Sequence, residues 1–327
     1  MTVSEAPFSN LLVASKDEIA SGIFQFELRH PLGRPLAPFG AGAHLTVQTP
    51  SRMRRNYSLC NNPSETLRYV LAVKRDPHGR GGSLEMADQV SVGSLLPASA
   101  PRNNFGLTPG AQEVLLIAGG IGITPILSMA RHLKSDPQAR FKLVYCTRDA
   151  TSTAFLQEIS TEFGGFATIH HDGGKTENAI DLWPEFETPR NAHVYCCGPK
   201  ALMESVADMS GHWPSGHIHF ESFGVAASDM PANAAFSVRL LRSQKTIPVS
   251  ATQSLLQALR AGGCTVASSC ESGTCGSCRT GLLAGQAEHR DMVLMDDERA
   301  HSIMPCVSRA LPRASMGADS PELVLDL

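Results

Sequence analysis

Three cysteines lie close together in the stretch Cys270-Glu271-Ser272-Gly273-Thr274-Cys275-Gly276-Ser277-Cys278, and a fourth, Cys306, follows at a distance. The spacing Cys-x4-Cys-x2-Cys with a distant fourth cysteine is the plant-type pattern for a [2Fe–2S] cluster. The intervening residues are small, so the backbone can wrap around a cluster and turn N–H groups toward its sulfurs. Four cysteines also suit a structural zinc ion, but zinc ribbons usually present two close pairs. The spacing therefore predicts a cluster on Cys270, Cys275, Cys278 and Cys306, with Cys264 outside the pattern.

The composition excludes several classes of protein. The chain has 327 residues, 42% of them hydrophobic and 18% charged, which suits two or three domains with real cores. A net charge of −3 argues against a nucleic-acid binder. No apolar run approaches the roughly 18 residues of a membrane span, and no signal peptide is visible at the N-terminus. We expect a cytoplasmic protein that binds neither nucleic acid nor membrane.

Two stretches of turn-forming residues, 101–110 and 224–233, divide the chain. Before the first, short alternating runs predict a small antiparallel sheet or barrel. Between the two, a strand, a glycine turn, a helix and further strands predict a doubly wound parallel sheet. After the second, a hairpin pattern precedes a short helix. The predicted organisation is a multidomain α/β chain with domains 1–105, 106–226 and 234–327 and a linker at 227–233.

The stretch Ala118-Gly119-Gly120-Ile121-Gly122-Ile123-Thr124-Pro125 lies between the first strand and helix of the middle domain. Its glycines allow a pyrophosphate to approach the backbone at a helix N-terminus. A glycine turn that only closes a strand–helix unit fits the same residues, but two further turns add support. These are Thr147-Arg148-Asp149, where a ribose would lie, and Cys197-Gly198-Pro199. Asp149 favours NADH and Arg148 would suit NADPH, so the residues leave that choice open.

Two motifs in the first domain suit an anion and a ring. Arg55-Asn56-Tyr57-Ser58 places a cation, a phenol and a hydroxyl at the end of a predicted strand. The loop Gly79-Arg80-Gly81-Gly82-Ser83 has the composition of a phosphate-binding loop. Taken alone, each fits an ordinary surface strand or loop better than a binding site.

In order, R-x-Y-S, G-G-x-G-x-T-P, C-G-P and the C-terminal cysteine set make the chain resemble the phthalate dioxygenase reductase family. These are class IA reductases of Rieske oxygenases, with vanillate demethylase reductases as close relatives. The resemblance covers essentially the whole chain. It implies an FMN-binding β-barrel, an NAD-binding domain and a C-terminal plant-type ferredoxin domain of the β-grasp type. It also implies electron transfer from NADH to FMN, to the cluster and then to a Rieske-type terminal oxygenase.

The resemblance further implies roles for individual residues. Ser58 is expected beside N5 of the flavin, Cys197 beside the nicotinamide, and Phe223 stacked on the flavin ring. These three are the residues expected at the reacting atoms. The remaining cofactor-binding residues implied by the motifs are Arg55, Asn56, Tyr57, Ala72, Val73, Lys74, Arg80, Gly81, Gly82, Ser83, Gly119, Gly120, Gly122, Thr124, Pro125, Thr147, Arg148, Asp149, Gly198 and Pro199.

Two other functions remain open from the residues. A reductase could serve a different acceptor, such as a vanillate-type demethylase, a monooxygenase or a cytochrome. A flavin- and cluster-binding redox sensor would need no hydride donor, so the nucleotide turns weigh against it. The histidines, including His170-His171 and His217-x-His219, are interpreted as solvated or structural.

Overall fold

The computed structural model describes residues 8–79, 81–214, 216–223, 233–268, 271, 273, 276–311 and 321–327. The chain folds into two compact units, Met1–Glu221 and Ser222–Leu327. Several predicted features lie outside the described residues, namely Arg80, Cys270, Cys275 and most of the linker. None of the helices in the described part is long and apolar enough to cross a membrane.

The first half of unit Met1–Glu221 is an antiparallel barrel. Its sheet has the order β4-β3-β6-β1-β2-β5. A single bridge between Leu59 and Leu71 joins the two edges, and the Cys60 N–H donates to the Val70 carbonyl at 2.9 Å. Alternate residues such as Phe26 and Leu28 are fully buried in its core. The elements are β1 (Ser9–Ala20), β2 (Ile23–Arg29), β3 (His44–Gln48), β4 (Arg54–Ser58), β5 (Tyr69–Lys74), α1 (Gly82–Gln89) and β6 (Leu95–Ala98).

The second half of this unit is a five-stranded parallel sheet of order β11-β10-β7-β8-β9. The chain builds outward from β7 through β9 and then returns to the other side of β7. The carboxyl ends of β7 and β10 therefore meet at the switch point of a doubly wound sheet. The elements are β7 (Glu113–Gly119), α2 (Ile123–Lys134), β8 (Arg140–Thr147), α3 (Leu156–Phe163), β9 (Ala167–His171), α4 (Trp183–Phe186), β10 (His193–Cys197), α5 (Lys200–Met209) and β11 (Ile218–Glu221).

Unit Ser222–Leu327 contains a mixed sheet of order β13-β12-β18-β14-β16, in which β12 and β18 are parallel. Helix α6 is held at its start by a capping box: Ser254 Oγ accepts from Gln257 N at 3.1 Å, and Gln257 Oε1 accepts from Ser254 N at 2.9 Å. A helix packed on a mixed sheet fits the β-grasp ferredoxin domain that the resemblance implies. The elements are β12 (Phe236–Leu240), β13 (Lys245–Val249), α6 (Leu255–Ala261), β14 (Thr280–Ala284), β15 (Ala287–Glu288), α7 (Asp296–Arg299), β16 (Ser302–Ile303), β17 (Arg309–Ala310) and β18 (Glu322–Leu325).

Three histidines stack on one face of the parallel sheet. The rings of His193 and His217 lie 4.4 Å apart between centroids, and His193 Nδ1 is 3.0 Å from His219 Nε2. That hydrogen bond needs one nitrogen with a proton and one without. Burial, followed by the neighbouring His193 and His217, lowers the pKa of His219 from 6.5 to about 4. Burial also lowers the pKa of His193, so His193 and His219 pack as neutral rings, with the His217 ring stacked on His193.

The His219 pKa predicts how stability depends on pH. Because its folded-state pKa lies below 6.5, its stabilising contribution is complete above pH 6.5 and is lost as the pH falls toward 4. Between pH 6.5 and pH 5 we expect the free energy of unfolding to fall by about 1–2 kcal/mol through this group. His219→Gln should flatten the slope in denaturant titrations, whereas His78→Gln, at an exposed position, should not. Parallel slopes in the two variants would contradict this assignment.

Candidate functional site

The two motifs of the barrel meet although they are far apart in sequence. A Cβ placed on Gly82 would lie 2.5 Å from Arg55 Nε, so the arginine side chain packs directly on this glycine. Gly82 is the first residue of α1, and Gly81 before it has φ +81°. A guanidinium group and a helix N-terminus both favour an anion. The first turn of α1 and Arg55 could therefore hold an anion such as a phosphate together.

After Arg55, β4 continues with two polar side chains, Asn56 and Ser58, and one aromatic side chain, Tyr57. Ser58 is 4% exposed, and burial raises the pKa of the Tyr57 phenol to about 12. Tyr57 therefore keeps its proton at neutral pH. Asn56 is exposed, and its Oδ1 accepts from Thr46 Oγ1 at 2.8 Å. Across the closed edge of the barrel, β5 supplies the remaining predicted residues: buried Ala72 and Val73 and exposed Lys74.

The glycine turns of the parallel sheet are in backbone contact. A Cβ on Gly122 would lie 2.1 Å from the Cys197 carbonyl oxygen, and one on Gly198 would lie 3.0 Å from Gly119 Cα. Gly119 itself faces Pro199, whose Cδ would be 2.5 Å from an added Cβ. The turn after β7 and the turn after β10 therefore form one unit at the switch point.

Helix α2 starts directly from the first of these turns. Thr124 is 2% exposed and its Oγ1 donates to the Ile121 carbonyl at 3.0 Å, inside the turn. Pro125, in the first turn, is also buried and lacks an N–H, which costs nothing where helix N–H groups have no partner. Gly120 is partly exposed with φ +52°, and an added Cβ there would meet no atom within 4 Å. The open side of the turn is thus available to a ligand.

The residues predicted to lie near a ribose are arranged by local hydrogen bonds. Asp149 Oδ1 accepts from Ser152 N at 2.8 Å and from Thr151 Oγ1 at 2.7 Å, and these bonds lower the pKa of its carboxyl group. Thr147 is buried, with Oγ1 2.8 Å from His171 Nδ1, so its hydroxyl faces the protein. The exposed Arg148 side chain lies along the turn at Gly174. Asp149 is therefore a fixed, ionised carboxylate at the end of β8.

Two of the three residues expected at the reacting atoms differ sharply in exposure. Cys197 is 1% exposed, and burial, with Glu221 and Cys196 adding to it, raises the pKa of its thiol well above 9. It therefore stays protonated and cannot act as a nucleophile at neutral pH. Phe223 is 48% exposed and belongs to the other compact unit, which begins at Ser222.

Two of the predicted cluster ligands come together in unit Ser222–Leu327. Cys278 Sγ and Cys306 Sγ lie 3.3 Å apart and both cysteines are buried, a separation far beyond a disulfide bond. Gly273 and Gly276 have φ +78° and +75°, and a Cβ on Gly273 would lie 2.7 Å from Val307 Cγ2. Closely spaced soft thiols beside a glycine-rich loop fit an iron–sulfur cluster. Cys270 and Cys275 lie outside the described residues.

Sequence patterns did not single out one further group. Asn61, Ser128 and Arg131 connect the barrel to α2 by buried hydrogen bonds. They belong to no motif, and only Ser128 lies between apolar residues in the sequence. The one signal in the sequence is Ser128 itself, a polar residue in an otherwise apolar stretch of α2.

Comparisons with known proteins give two matching family models and relatives that match over nearly the full length of the chain. A model described as "2Fe-2S iron-sulfur cluster binding domain" matches residues 238–311, and "Ferric reductase NAD binding domain" matches 111–165. The chain is 55% identical over 305 residues to the phthalate 4,5-dioxygenase oxygenase reductase subunit of Pseudomonas putida, covering 93% of this chain and 94% of the relative. It is 52% identical to the phthalate dioxygenase reductase of Burkholderia cepacia, covering 100% and 99%.

A solved structure agrees with these relatives. It is described as a phthalate dioxygenase reductase with a modular structure for electron transfer from pyridine nucleotides to [2Fe–2S]. It matches with a TM-score of 0.72 at 52% identity, covering 98% of both chains. The chain belongs to the phthalate dioxygenase reductase family. The family and the three-part fold predicted from the motifs are thereby confirmed.

Other members of the phthalate dioxygenase reductase group are more distant. The vanillate O-demethylase oxidoreductase of Pseudomonas putida is 38% identical, covering 97% of this chain and 99% of the relative. The difference between 55% and 38% identity favours phthalate-type over vanillate-type reductases. The roles of individual site residues stay predictions.

The contact between the turns predicts the effect of one methyl group. Gly122→Ala would push a Cβ into the Cys197 carbonyl, so the two turns must separate. We expect a loss of about 1–3 kcal/mol of unfolding free energy, typical of overpacking, and at least tenfold weaker binding of nicotinamide nucleotide. Gly165→Ala, where an added Cβ meets nothing within 4 Å, is the matched control. Equal nucleotide affinity in the two variants, measured by titration calorimetry, would refute the role of the contact.

Proposed function

We propose that this chain is the NADH-dependent reductase component of a Rieske-type aromatic-ring dioxygenase. Electrons would pass from NADH to FMN, to the [2Fe–2S] cluster and on to the oxygenase. The observation that carries the proposal is that one chain contains both the turn Gly119–Gly122 after β7 and the Cys278–Cys306 thiol pair. The names of the full-length relatives at 52–55% identity support the choice of oxygenase.

The barrel residues would bind and orient the flavin. Arg55 and the N–H groups at the start of α1 would hold the phosphate of FMN, and the Arg80–Ser83 loop would complete that contact. The flavin ring would be lined by Tyr57, Ser58 and the segment Ala72–Lys74. The Ser58 hydroxyl would form a hydrogen bond near N5 of the ring. When bound, FMN accepts a hydride and releases electrons singly, chemistry that no side chain here supplies.

The parallel sheet would bind the hydride donor. The turn at Gly119–Gly122 and the N-terminus of α2 would hold the pyrophosphate. The Cys197–Pro199 turn would lie beside the nicotinamide. Asp149 remains ionised because its pKa is lowered by its hydrogen bonds. A carboxylate there accepts ribose hydroxyls and repels a 2′-phosphate, which favours NADH over NADPH.

The cluster domain would deliver the electrons. Cys278 and Cys306, whose Sγ atoms are 3.3 Å apart, would hold the cluster from one side. Cys270 and Cys275 would complete the set of four thiolates. We propose a cytoplasmic location, since NADH, the proposed electron donor, is found there.

Replacing one thiol should remove the cluster without unfolding the rest. Cys306→Ser should reduce iron and acid-labile sulfide from about two per chain to near zero and abolish the reduced-state EPR signal. Cys264→Ser, which changes a partly buried thiol in the same domain outside the pattern, should keep both. One zinc per chain and no EPR signal in the unaltered protein would refute the cluster.

Shortening the chain tests the order of electron transfer. A chain ending at Ala226 contains the whole compact unit Met1–Glu221. It should keep FMN and reduce ferricyanide from NADH at a rate near that of the full chain, since this small acceptor can reach reduced flavin directly. Turnover with a Rieske oxygenase should fall to background, because the cluster domain is missing.

Three outcomes of that experiment are informative. Dye reduction without oxygenase turnover supports the proposed order. Continued oxygenase turnover would mean that electrons leave from the flavin and the cluster is not on the path. Loss of both activities with FMN still bound would mean that the last domain helps build the hydride site. Testing the full chain with phthalate- and vanillate-type oxygenases then identifies the partner.

A further inference from the structure

We infer that Asn61, Ser128 and Arg131 form a junction network. This network fixes the distance between strand β4, which ends at Ser58, and the nucleotide turn, which is the turn Gly119–Gly122 after β7. Ser128 and Arg131 are, on this inference, positioning residues for hydride transfer. The inference rests on the proposed function in one respect, namely that hydride passes between the barrel and the parallel sheet.

Asn61 uses all of its side-chain polar atoms within the protein. The residue is fully buried; its Nδ2 donates to the Arg68 carbonyl at 3.1 Å and its Oδ1 accepts from Val70 N at 3.0 Å. Its own carbonyl accepts from Ser128 Oγ at 2.9 Å. One residue therefore fastens the end of the β4 segment both to β5 and to α2.

Arg131 makes a second connection one turn further along α2. Its Nη1 donates to the Cys60 carbonyl at 2.9 Å, while Nη2 contacts Glu158 at 2.6 Å and Glu162 at 2.8 Å. The guanidinium is thus held from α3 and reaches the residue before Asn61. Its side chain is only 14% exposed, so water competes little for these bonds.

The spacing along the chain connects this network to both halves of the site. Asn61 follows Ser58 by three residues, and Ser128 follows Thr124 by one helical turn. At 1.5 Å per residue, the Ser128 contact lies about 6 Å along the helix from the nucleotide turn. A shift at this contact would therefore move Ser58 relative to that turn. Hydride transfer needs reacting atoms about 3–3.5 Å apart, so small shifts matter.

The chemistry of the contact favours positioning over simple cohesion. Ser128 stands on α2 among fully buried apolar side chains, including Leu127 and Met129. Apolar packing alone would hold these elements together but tolerates sliding, because it has no direction. A buried hydrogen bond has a preferred distance and angle and is costly to leave unmade. The hydrogen bonds therefore define the position of the Asn61 segment along α2, which apolar packing alone would not do.

The experiment compares two serine variants that each remove a buried hydroxyl from the same unit. Ser128→Ala breaks the junction. Ser99→Ala removes a barrel hydroxyl that accepts from Thr46 N at 3.1 Å and donates to the Ala100 carbonyl at 2.8 Å. Anaerobic stopped-flow follows flavin reduction by NADH and by NADH deuterated at the transferred position. Hydrogen exchange follows the Cys60 and Val70 amides in flavin-loaded and flavin-free protein.

Ser128→Ala should slow flavin reduction about tenfold, within the roughly 10²-fold that a 1 Å misplacement can cost. The NADH concentration at half-saturation should change little, and the isotope effect should become more temperature-dependent. The Cys60 and Val70 amides should exchange faster even without flavin. Ser99→Ala should leave the rate of flavin reduction, its isotope effect and the exchange of the two amides near those of the unaltered protein. Its melting temperature should nevertheless fall by about as much as that of Ser128→Ala.

A slowing no larger than in Ser99→Ala, or one with an unchanged isotope effect, would overturn the inference. Should Ser128→Ala fail to fold, Arg131→Lys replaces it, because lysine keeps the charge beside Glu158 but lacks the fork that also reaches the Cys60 carbonyl. It should give the same pattern at a smaller size, and wild-type kinetics in it would also overturn the inference. Absence of NADH-driven flavin reduction in the unaltered protein would refute the proposed function instead, and amide exchange would still test the network.

Discussion

The backbone contact between the turns after β7 and β10 is the constraint on which the nucleotide half depends. Gly122 leaves no room for a side chain against the Cys197 carbonyl, and Gly198 leaves none against Gly119. Because the two turns touch without side chains between them, the carboxyl ends of two neighbouring strands present one continuous surface of backbone groups. That surface is what a pyrophosphate and a nicotinamide can approach closely. Moving either turn would change both the start of α2 and the position of Cys197.

In the barrel, too, a glycine allows close contact between two segments, and here the contact is with a charged side chain. Gly82 allows Arg55 to lie against the first turn of α1, so a permanent cation and a helix N-terminus are directed to one place. An arginine is suited to this position because its charge persists at every physiological pH and its planar group can contact a phosphate by two bonds. The two halves of the unit thus each place a helix start at a glycine, and the junction network fixes one relative to the other.

The sequence predicted the parts of this molecule that are encoded locally. The Cys-x4-Cys-x2-Cys spacing, the strand–glycine–helix order around Gly122 and the alternation in β2 each reflect one element and its neighbours in the chain. Contacts between distant segments were beyond such reasoning. Nothing in the sequence shows that Gly82 packs on Arg55, that the Thr147 hydroxyl faces His171, or that Ser128 bonds to the Asn61 carbonyl. These depend on how the barrel closes and how α2 lies on it, which are properties of the tertiary structure.

The burial of Cys197 has a consequence for how long such an enzyme survives in air. Reduced flavins react with oxygen to give hydrogen peroxide, and peroxide oxidises cysteine through the thiolate form. With its pKa raised well above 9 by burial, the Cys197 thiol has almost no thiolate at neutral pH. At the position proposed for it beside the nicotinamide, Cys197 would therefore be slow to oxidise. The close packing that brings the two turns together would thus also protect this thiol from peroxide.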